Sequence, residues 1–265
     1  MEHLLNHVIQ GDCLEVMQRI PDKSIDLILA DLPYGTTQNR WDSVISLPAL
    51  WAQYERIIKD NGAIVLTAQG IFTARLMLSN EKLFKYKLVW VKSKPTNFLN
   101  AKKQPLRKHE DICVFYKKQP PYHPQMSEGE PYDKGVRKDQ LSGSYGDFKP
   151  RHVKSDGQRY PNDVLNLDLH PSYWDNFFAR LYDGIPQDGL DALRRPDNPD
   201  TVVTQAGIDC QQEVIYYKTA ELEGTVHHTT QKPVRLGQYL IRTYTDPGAV
   251  VLDNTCGSGS FLMAA

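Results

Sequence analysis

Two short clusters in this 265-residue chain hold side chains whose types and spacing could do chemistry, and each follows a run of apolar residues. The first is Asp31-Leu32-Pro33-Tyr34-Gly35, directly after Ile25–Ala30. A carboxylate at Asp31 accepts hydrogen bonds from an amino group, a carbonyl held beside Pro33 accepts another, and Tyr34 offers a flat face to a planar ring. That set suits an exocyclic amine on a heteroaromatic base, although an isolated tetrapeptide of this kind reads equally as a surface turn. The second cluster is Asp253-Asn254-Thr255-Cys256-Gly257-Ser258-Gly259-Ser260-Phe261, after Ala249–Leu252 and before a short helix-like ending. Glycines at the carboxyl end of a buried strand let the backbone pass close to a ligand, and the helix that follows favours polar or anionic groups. A tight strand-to-helix turn without a ligand is the alternative. No G-x-x-x-x-G-K-[ST] occurs, so a phosphate-cradling NTPase loop is not expected.

Chemistry at these positions needs rigid elements behind them. Apolar runs at Ile25–Ala30, Ala63–Thr67, Lys87–Val91, Ile112–Tyr116 and Ala249–Leu252, bounded by turn or charged residues, read as buried strands. Leu47–Lys59 spaces Leu47, Leu50, Trp51, Tyr54, Ile57 and Ile58 as one helical face, with Asp60-Asn61-Gly62 as its stop. A second helix is predicted over Gly70–Asn80, with Ile71, Phe72, Leu76 and Leu78 as core positions, and a third over Val234–Tyr244. Alternating strands and helices give right-handed crossovers in a largely parallel, doubly wound sheet, a Rossmann-like α/β core. Both clusters fall at carboxyl ends of strands, where such sheets place their ligand crevice. From about Gln119 to Glu213 the rhythm is lost among frequent prolines, with one helix-like piece at Ser172–Tyr182.

The net charge of -1 divides unevenly along the chain. Lys82 to Lys118 holds eleven Lys or Arg against Glu110 and Asp111, a local net of +9, interleaved with aromatic residues. Tyr160 to Thr230 holds four against twelve acids, a net of -8. A basic segment with aromatics is what a polyanion-binding face needs, and a solvated surface is the plainer alternative. Mean hydropathy of -0.50 and the lack of a run near 18 apolar residues argue against a membrane span. With no secretory signal at the N-terminus, a cytoplasmic setting is expected. Cys13, Cys113, Cys210 and Cys256 stand far apart, so reduced thiols are expected rather than a zinc ribbon or a disulfide framework. His227-His228 has no third ligand at a convincing spacing, and no metal is expected.

Taken together, Gly11-Asp12-Cys13-Leu14-Glu15, Asp26 to Tyr34, Gln231-Lys232-Pro233 and the glycine-rich turn resemble the amino-group-specific DNA methyltransferases, the N6-adenine and N4-cytosine family with the motif (D/N/S)-P-P-Y. The order, catalytic motif before cofactor motif, is that of the family's β-type. The resemblance covers about Asn6 to Tyr122 and Tyr216 to Ala265. It implies a Rossmann-like, S-adenosylmethionine-dependent methyltransferase fold with a catalytic half over 1–122, a target-recognition insert over 123–215 and the start of a cofactor-binding half over 216–265. It also implies a site-specific enzyme, of the kind found in restriction-modification, acting on the N6 amino group of adenine in double-stranded DNA. Asp31 favours adenine over cytosine by the tendency of that family, with N4-cytosine as the alternative.

Carried over residue by residue, Asp31 matches the group that binds the target amine and Tyr34 the aromatic that stacks on the extruded base. Leu32 replaces the usual first proline but keeps the backbone carbonyl that is needed, and Pro33 follows it. Asp12, Lys232, Pro233, Asp253, Cys256, Gly257 and Gly259 fall on cofactor-side positions, Cys256 as a small packing residue. Lys92, Lys94, Lys102, Lys103, Arg107 and Lys108 are candidates for phosphate contacts, which give affinity without sequence choice. Lys134, Arg137, Lys138, Lys149, Arg151 and Lys154 are candidates for the recognition segment. The acidic stretch Asp168 to Gln212 is expected to pack away from DNA. The chain ends six residues past Gly259, where the family continues with the rest of a helix and a strand bearing a ribose-binding acid. The fold is therefore expected to be incomplete at the C-terminus, and a catalytically silent DNA-binding remnant is the second reading.

Overall fold

The structure, a computed structural model, describes residues 4–39, 42–136, 151–165 and 231–265. In its sheet, β1 (Ile25–Ala30) buries Leu27, Ile28, Leu29 and Ala30 with no exposed surface. A strand covered on both faces reads as a continuous apolar run, which is why this one was legible. On one side it pairs in parallel with β10 (Val251–Leu252), on the other with β2 (Ile58–Ala68).

Between β1 and β2 runs α2 (Leu47–Ile57), which buries Leu50, Trp51, Tyr54 and Ile57 as its spacing predicts. Its end differs from the expectation. Ile58 and Lys59 already belong to β2, and Asp60-Asn61-Gly62 lies inside that strand, where the register against β1 jumps from Ile25↔Ile58 to Leu27↔Ala63. The bulge forces Gly62 against β1: a Cβ there would sit 2.7 Å from the Asp26 carbonyl. The sequence that resembles a helix stop is thus a strand irregularity.

After β2, α3 (Ile71–Ser79) leads to β3 (Phe84–Thr96), which turns back through a one-turn 3-10 helix (Phe98–Asn100) into β4 (Arg107–Phe115). Of the four core positions predicted on α3, Phe72 and Leu76 are buried, whereas Ile71 and Leu78 lie on its outer side, each 67% exposed. The strand order is β10-β1-β2-β4-β3-β9, with β9 (Val164–Leu165) parallel to β3. Only β4 runs against the others, inserted between β2 and β3. The sheet is therefore largely parallel, as expected, with one antiparallel strand that strand-helix alternation alone could not reveal.

Helices cover both faces. Alongside α2 and α3, α1 (Cys13–Met17) contributes Met17 to one core, with Ile28, Ile64, Cys113 and Phe115 from the sheet. The opposite core joins Leu27, Leu29, Val65, Ile112 and Val114 to α4 (Val234–Tyr244) and α5 (Ser260–Ala264) through Leu236, Leu240, Tyr244 and Phe261. The two helices meet at Gly237, where a Cβ would lie 2.7 Å from the Ala264 Cβ.

Residues 123–165 add two small antiparallel pairs, β5 (Ser127–Glu128) with β8 (Gln158–Arg159) and β6 (Tyr132–Val136) with β7 (His152–Ser155). The predicted helix at Ser172–Tyr182, the acidic stretch, His227-His228, Arg137, Lys138 and Lys149 lie outside the described residues. Among the described residues Cys13, Cys113 and Cys256 are free thiols, no group of His, Cys, Asp and Glu could hold a metal, and no helix is long and apolar enough to cross a membrane.

Candidate active site

Side chains alternate between the faces of a strand, and this places four polar residues together. Leu27 and Leu29 of β1 face α4, and Asp31, one residue past the strand, continues their row. On β2 the row Ala63, Val65 ends in Thr67; on β4 the row Val114, Ile112 ends in Glu110; on β3 the row Leu88, Trp90 ends in Lys92. Glu110 pairs with Trp90 across the β3–β4 ladder. Each row therefore ends in a polar group at the edge of the sheet where β1 finishes. Pro233, the N-cap of α4, fixes the preceding Lys232 over this edge.

The result is a buried chain of charges. Lys92 Nζ lies 3.1 Å from Glu110 Oε1, Lys232 Nζ lies 3.3 Å from Glu110 Oε2 and 2.7 Å from Asp31 Oδ2. The other Asp31 oxygen accepts hydrogen bonds from the Tyr34 hydroxyl at 2.9 Å and from Thr67. Burial pushes the Glu110 carboxyl up, but Lys232 and Lys92 outweigh it and hold it below the ordinary range. Burial likewise works against the Lys232 charge, while Asp31 and Glu110 outweigh it and hold the ammonium above its ordinary value. Both groups stay charged near neutral pH, and the two lysines balance the two carboxylates.

Tyr34 stacks on Phe72, centroids 5.2 Å apart at 29°, and Lys232 Nζ lies 5.6 Å from its centroid. Its phenol is pushed well up by burial, with the Asp31 and Glu110 charges adding, so it remains a donor to Asp31. Leu32 is buried among Ala30, Leu50 and Leu66 of the first core. The apolar side chain thus anchors the motif from below. Beyond the motif, Asp42 accepts backbone N–H groups from Gly35 at 2.8 Å, Thr36 at 2.9 Å and Thr37 at 2.6 Å. Burial raises the Asp42 carboxyl, but those donors prevail and hold it low. Gly35, at φ 69°, permits the turn that Asp42 ties down.

The glycine-rich turn stands next to this group. Asp253 is pushed up to about 7, chiefly by burial, with the Asp31 carboxylate adding to the rise, so the two sequence clusters are within electrostatic reach. Tyr54 donates to Asn254 Oδ1 at 2.6 Å, and Asn254 Nδ2 and Thr255 Oγ1 are buried without a hydrogen-bond partner among the described residues. Gly257 and Gly259 take φ of 50° and 78°, and a Cβ at Gly259 would meet open space. Asp12 caps α1 through the Leu14 N–H at 2.8 Å, and the adjacent Cys13 lies close enough to Tyr54 to raise its phenol further, after burial. Cys256 is partly buried, and burial raises its thiol, in keeping with a packing residue.

Two of the residues singled out from sequence take part in the buried charge chain. Lys232, expected on the cofactor side, contacts Asp31 and Glu110. Lys92, expected to meet phosphate, is 5% exposed and engaged by Glu110, so it has no free face for DNA. Lys94, Lys102, Lys103, Arg107 and Lys108 are exposed around the β3–β4 turn, with Arg107 donating to Gln69 at 3.2 Å. Lys134, Arg151 and Lys154 are exposed on or beside the small β pairs. Thr67, Glu110 and Asp42 join the site without being among the candidates read from sequence. The apolar alternation running into Thr67, Glu110 and Lys92 was the available signal.

A largely parallel sheet with one reversed strand, an Asp-Leu-Pro-Tyr motif after β1 and a glycine-rich turn after the neighbouring β10 define an α/β protein with the Rossmann-like methyltransferase fold. The model of the N6/N4-type DNA methylase family matches residues 25–265, and the chain belongs to that family. It is 29% identical over 129 residues to the type II methyltransferase M.HinfI of Haemophilus influenzae, covering 37% of this chain and 36% of that protein. It is 30% identical over 115 residues to the type II methyltransferase M2.MboI of Moraxella bovis, covering 34% and 42%. The matches span less than half the length of these curated relatives. Among solved structures, the M1.HpyAVI–SAM complex superposes with a TM-score of 0.50 at 16% identity, covering 97% of this chain and 86% of that one. The cytosine-N4-specific PvuII DNA methyltransferase gives 0.50 at 15%, covering 96% and 76%. At such identities the likeness concerns fold alone.

S-adenosylmethionine is the methyl donor of this family. The turn fits a polar ligand of that kind: two buried polar atoms await partners, and open space lies beside Gly259.

Proposed function

We propose that this chain carries the methyl-transfer site of a site-specific DNA methyltransferase that modifies the N6 amino group of adenine in double-stranded DNA. The observation that supports it most is the Asp31 carboxylate, held at the end of β1 beside Tyr34 and within electrostatic reach of the glycine-rich turn. A base amine inside a duplex is out of reach, so the nucleotide must swing out of the stack. Tyr34 offers its ring to the extruded base, while Asp31 and the Leu32 carbonyl accept from the amine and point its lone pair at the donor. Asn254, Thr255 and the backbone at Gly257 and Gly259 would hold S-adenosylmethionine, which supplies an electrophilic methyl group on a sulfonium. Rate is gained by positioning, and no covalent intermediate on the chain is needed.

Lys232 and Glu110 act here as positioning residues. With Lys232 on Asp31 Oδ2 and Glu110 on the far side of the ammonium, the carboxylate is fixed in orientation. The exposed cations around the β3–β4 turn supply phosphate contacts, and the segment 123–215 is assigned to target recognition between a catalytic part, 1–122, and a cofactor part, 216–265. The type II relatives support a place in restriction-modification, which would put the protein in the cytoplasm. N4 of cytosine presents the same amine chemistry, and adenine is favoured through the acidic first motif residue.

Calorimetric titration with S-adenosylmethionine tests the reading against a silent DNA-binding remnant. Micromolar affinity, weakened about tenfold or more by Gly259→Val, is expected; a chain that binds DNA but gives no heat with the cofactor contradicts the assignment.

A further inference from the structure

Phe98 and Leu99 stand in the turn between β3 and β4, 74% and 84% exposed. Single apolar side chains on a surface are ordinary, but an adjacent pair held out by a rigid turn calls for a partner. The turn is rigid through its own bonds: Asn97 adopts φ 70°, the Asn100 and Ala101 N–H groups donate to Asn97 and Phe98 carbonyls at 3.1 Å each, and Asn100 Nδ2 donates to Asn97 Oδ1 at 2.7 Å. Around it the segment 94–108 carries Lys94, Lys102, Lys103, Arg107 and Lys108 and no carboxylate. An apolar tip collared by cations fits a polymer with anionic flanks and an apolar interior, which is the layout of duplex DNA, phosphates outside and stacked bases within.

Its placement links the tip to the site. β3 runs in the same direction as β1, so the hairpin leaves the sheet at the edge where Asp31 stands. Lys92, at the end of the buried charge chain, donates to Thr96 Oγ1 at 3.2 Å, and Thr96 donates to the Arg107 carbonyl at 3.4 Å. The contacts from Asp31 through Lys232, Glu110 and Lys92 thus end at the base of the hairpin, two residues before Phe98.

We propose that Phe98 and Leu99 form a wedge that enters the base stack beside the target nucleotide, occupying the space it vacates and keeping it in the pocket at Asp31 and Tyr34. This rests on the DNA-methylating function proposed above, and it gives the exposed apolar tip a part in extrusion of the base.

The test uses duplexes carrying the sequence at which the unmodified chain methylates amplified genomic DNA. In one the target base is paired; in the other it is mispaired, so that it is already partly unstacked. Single-turnover methyl transfer by the double variant Phe98→Ala, Leu99→Ala is expected to fall tenfold or more on the paired duplex and less than twofold on the mispaired one, at an unchanged melting temperature. Phe98→Trp, still flat and apolar, should keep the paired rate. Equal loss on both duplexes, or no loss on either, overturns the wedge. A smaller assembly mass with an unchanged paired rate also overturns it, in favour of a protein contact. Should the unmodified chain methylate no DNA, the methyltransferase reading fails first and the wedge falls with it.

Discussion

At the scale of single residues, the site is governed by four charges that cannot be removed one at a time. Lys92, Glu110, Lys232 and Asp31 neutralise one another in sequence, and deleting one partner of a buried pair strands the charge beside it, typically at about 3–5 kcal/mol. Glu110→Gln is expected to lower stability by roughly that amount, since it leaves both lysines without their shared carboxylate. Lys92→Met in the same chain should recover part of the loss. Urea denaturation of the two single variants and the double variant checks this, and strictly additive losses would contradict it. Asp42 carries a pH dependence. Its carboxyl is held below the ordinary range in the fold, so its contribution is full above the unfolded pKa of about 3.9 and is lost as pH falls through the lower folded value. Asp42→Asn should therefore flatten the acid limb of the melting-temperature profile, and an unchanged limb would remove Asp42 from the account. Asp31 and Tyr34 were legible because they are close in sequence and their chemistry is complementary. Glu110 was counted only as one of two acids in a basic segment, and Lys92 as one of its cations, because charge counting ignores which face of a strand a residue occupies.

At the scale of elements, apolar periodicity located β1, α2, α3 and α4, through a continuous buried run in β1 and clear helical faces in α2 and α4, while on α3 only Phe72 and Leu76 of the expected face are buried. It failed where geometry depends on a distant partner. The α2–β2 junction has no loop, and Asp60-Asn61-Gly62 belongs to a bulge defined by its register against β1. The reversal of β4 depends on the turn at 97–106, which carries no Asn-Gly or Asp-Gly hairpin signal. The close approach of α4 and α5 at Gly237 was equally hidden, because a glycine inside a helix carries no sign of what it faces. Gly237→Leu should push α5 away, costing about 1–3 kcal/mol as overpacking does, and should weaken cofactor binding because α5 follows directly on the Gly257–Gly259 turn. Thermal melting together with a cofactor titration checks both effects; a variant with the parent's stability and affinity would show that the contact has no bearing on the turn.

At the scale of the whole molecule, the near-zero net charge conceals a division of labour. Five exposed cations, Lys94, Lys102, Lys103, Arg107 and Lys108, gather on the hairpin at the edge of the sheet where Asp31, the glycine-rich turn and Lys232 converge. This edge is the crevice that a parallel sheet offers at its strand ends, and the reversed β4 brings Glu110 to it from the opposite direction. In the proposed reaction, Asp31 and Tyr34 present a base amine to a methyl donor held at the turn. Its most direct test is nucleoside mass spectrometry of unmethylated DNA incubated with the chain and isotopically labelled S-adenosylmethionine. N6-methyl-2′-deoxyadenosine carrying the label is predicted, reduced at least a hundredfold in Asp31→Ala; labelled product formed at the parent rate by that variant, or label found only on cytosine, would contradict the account.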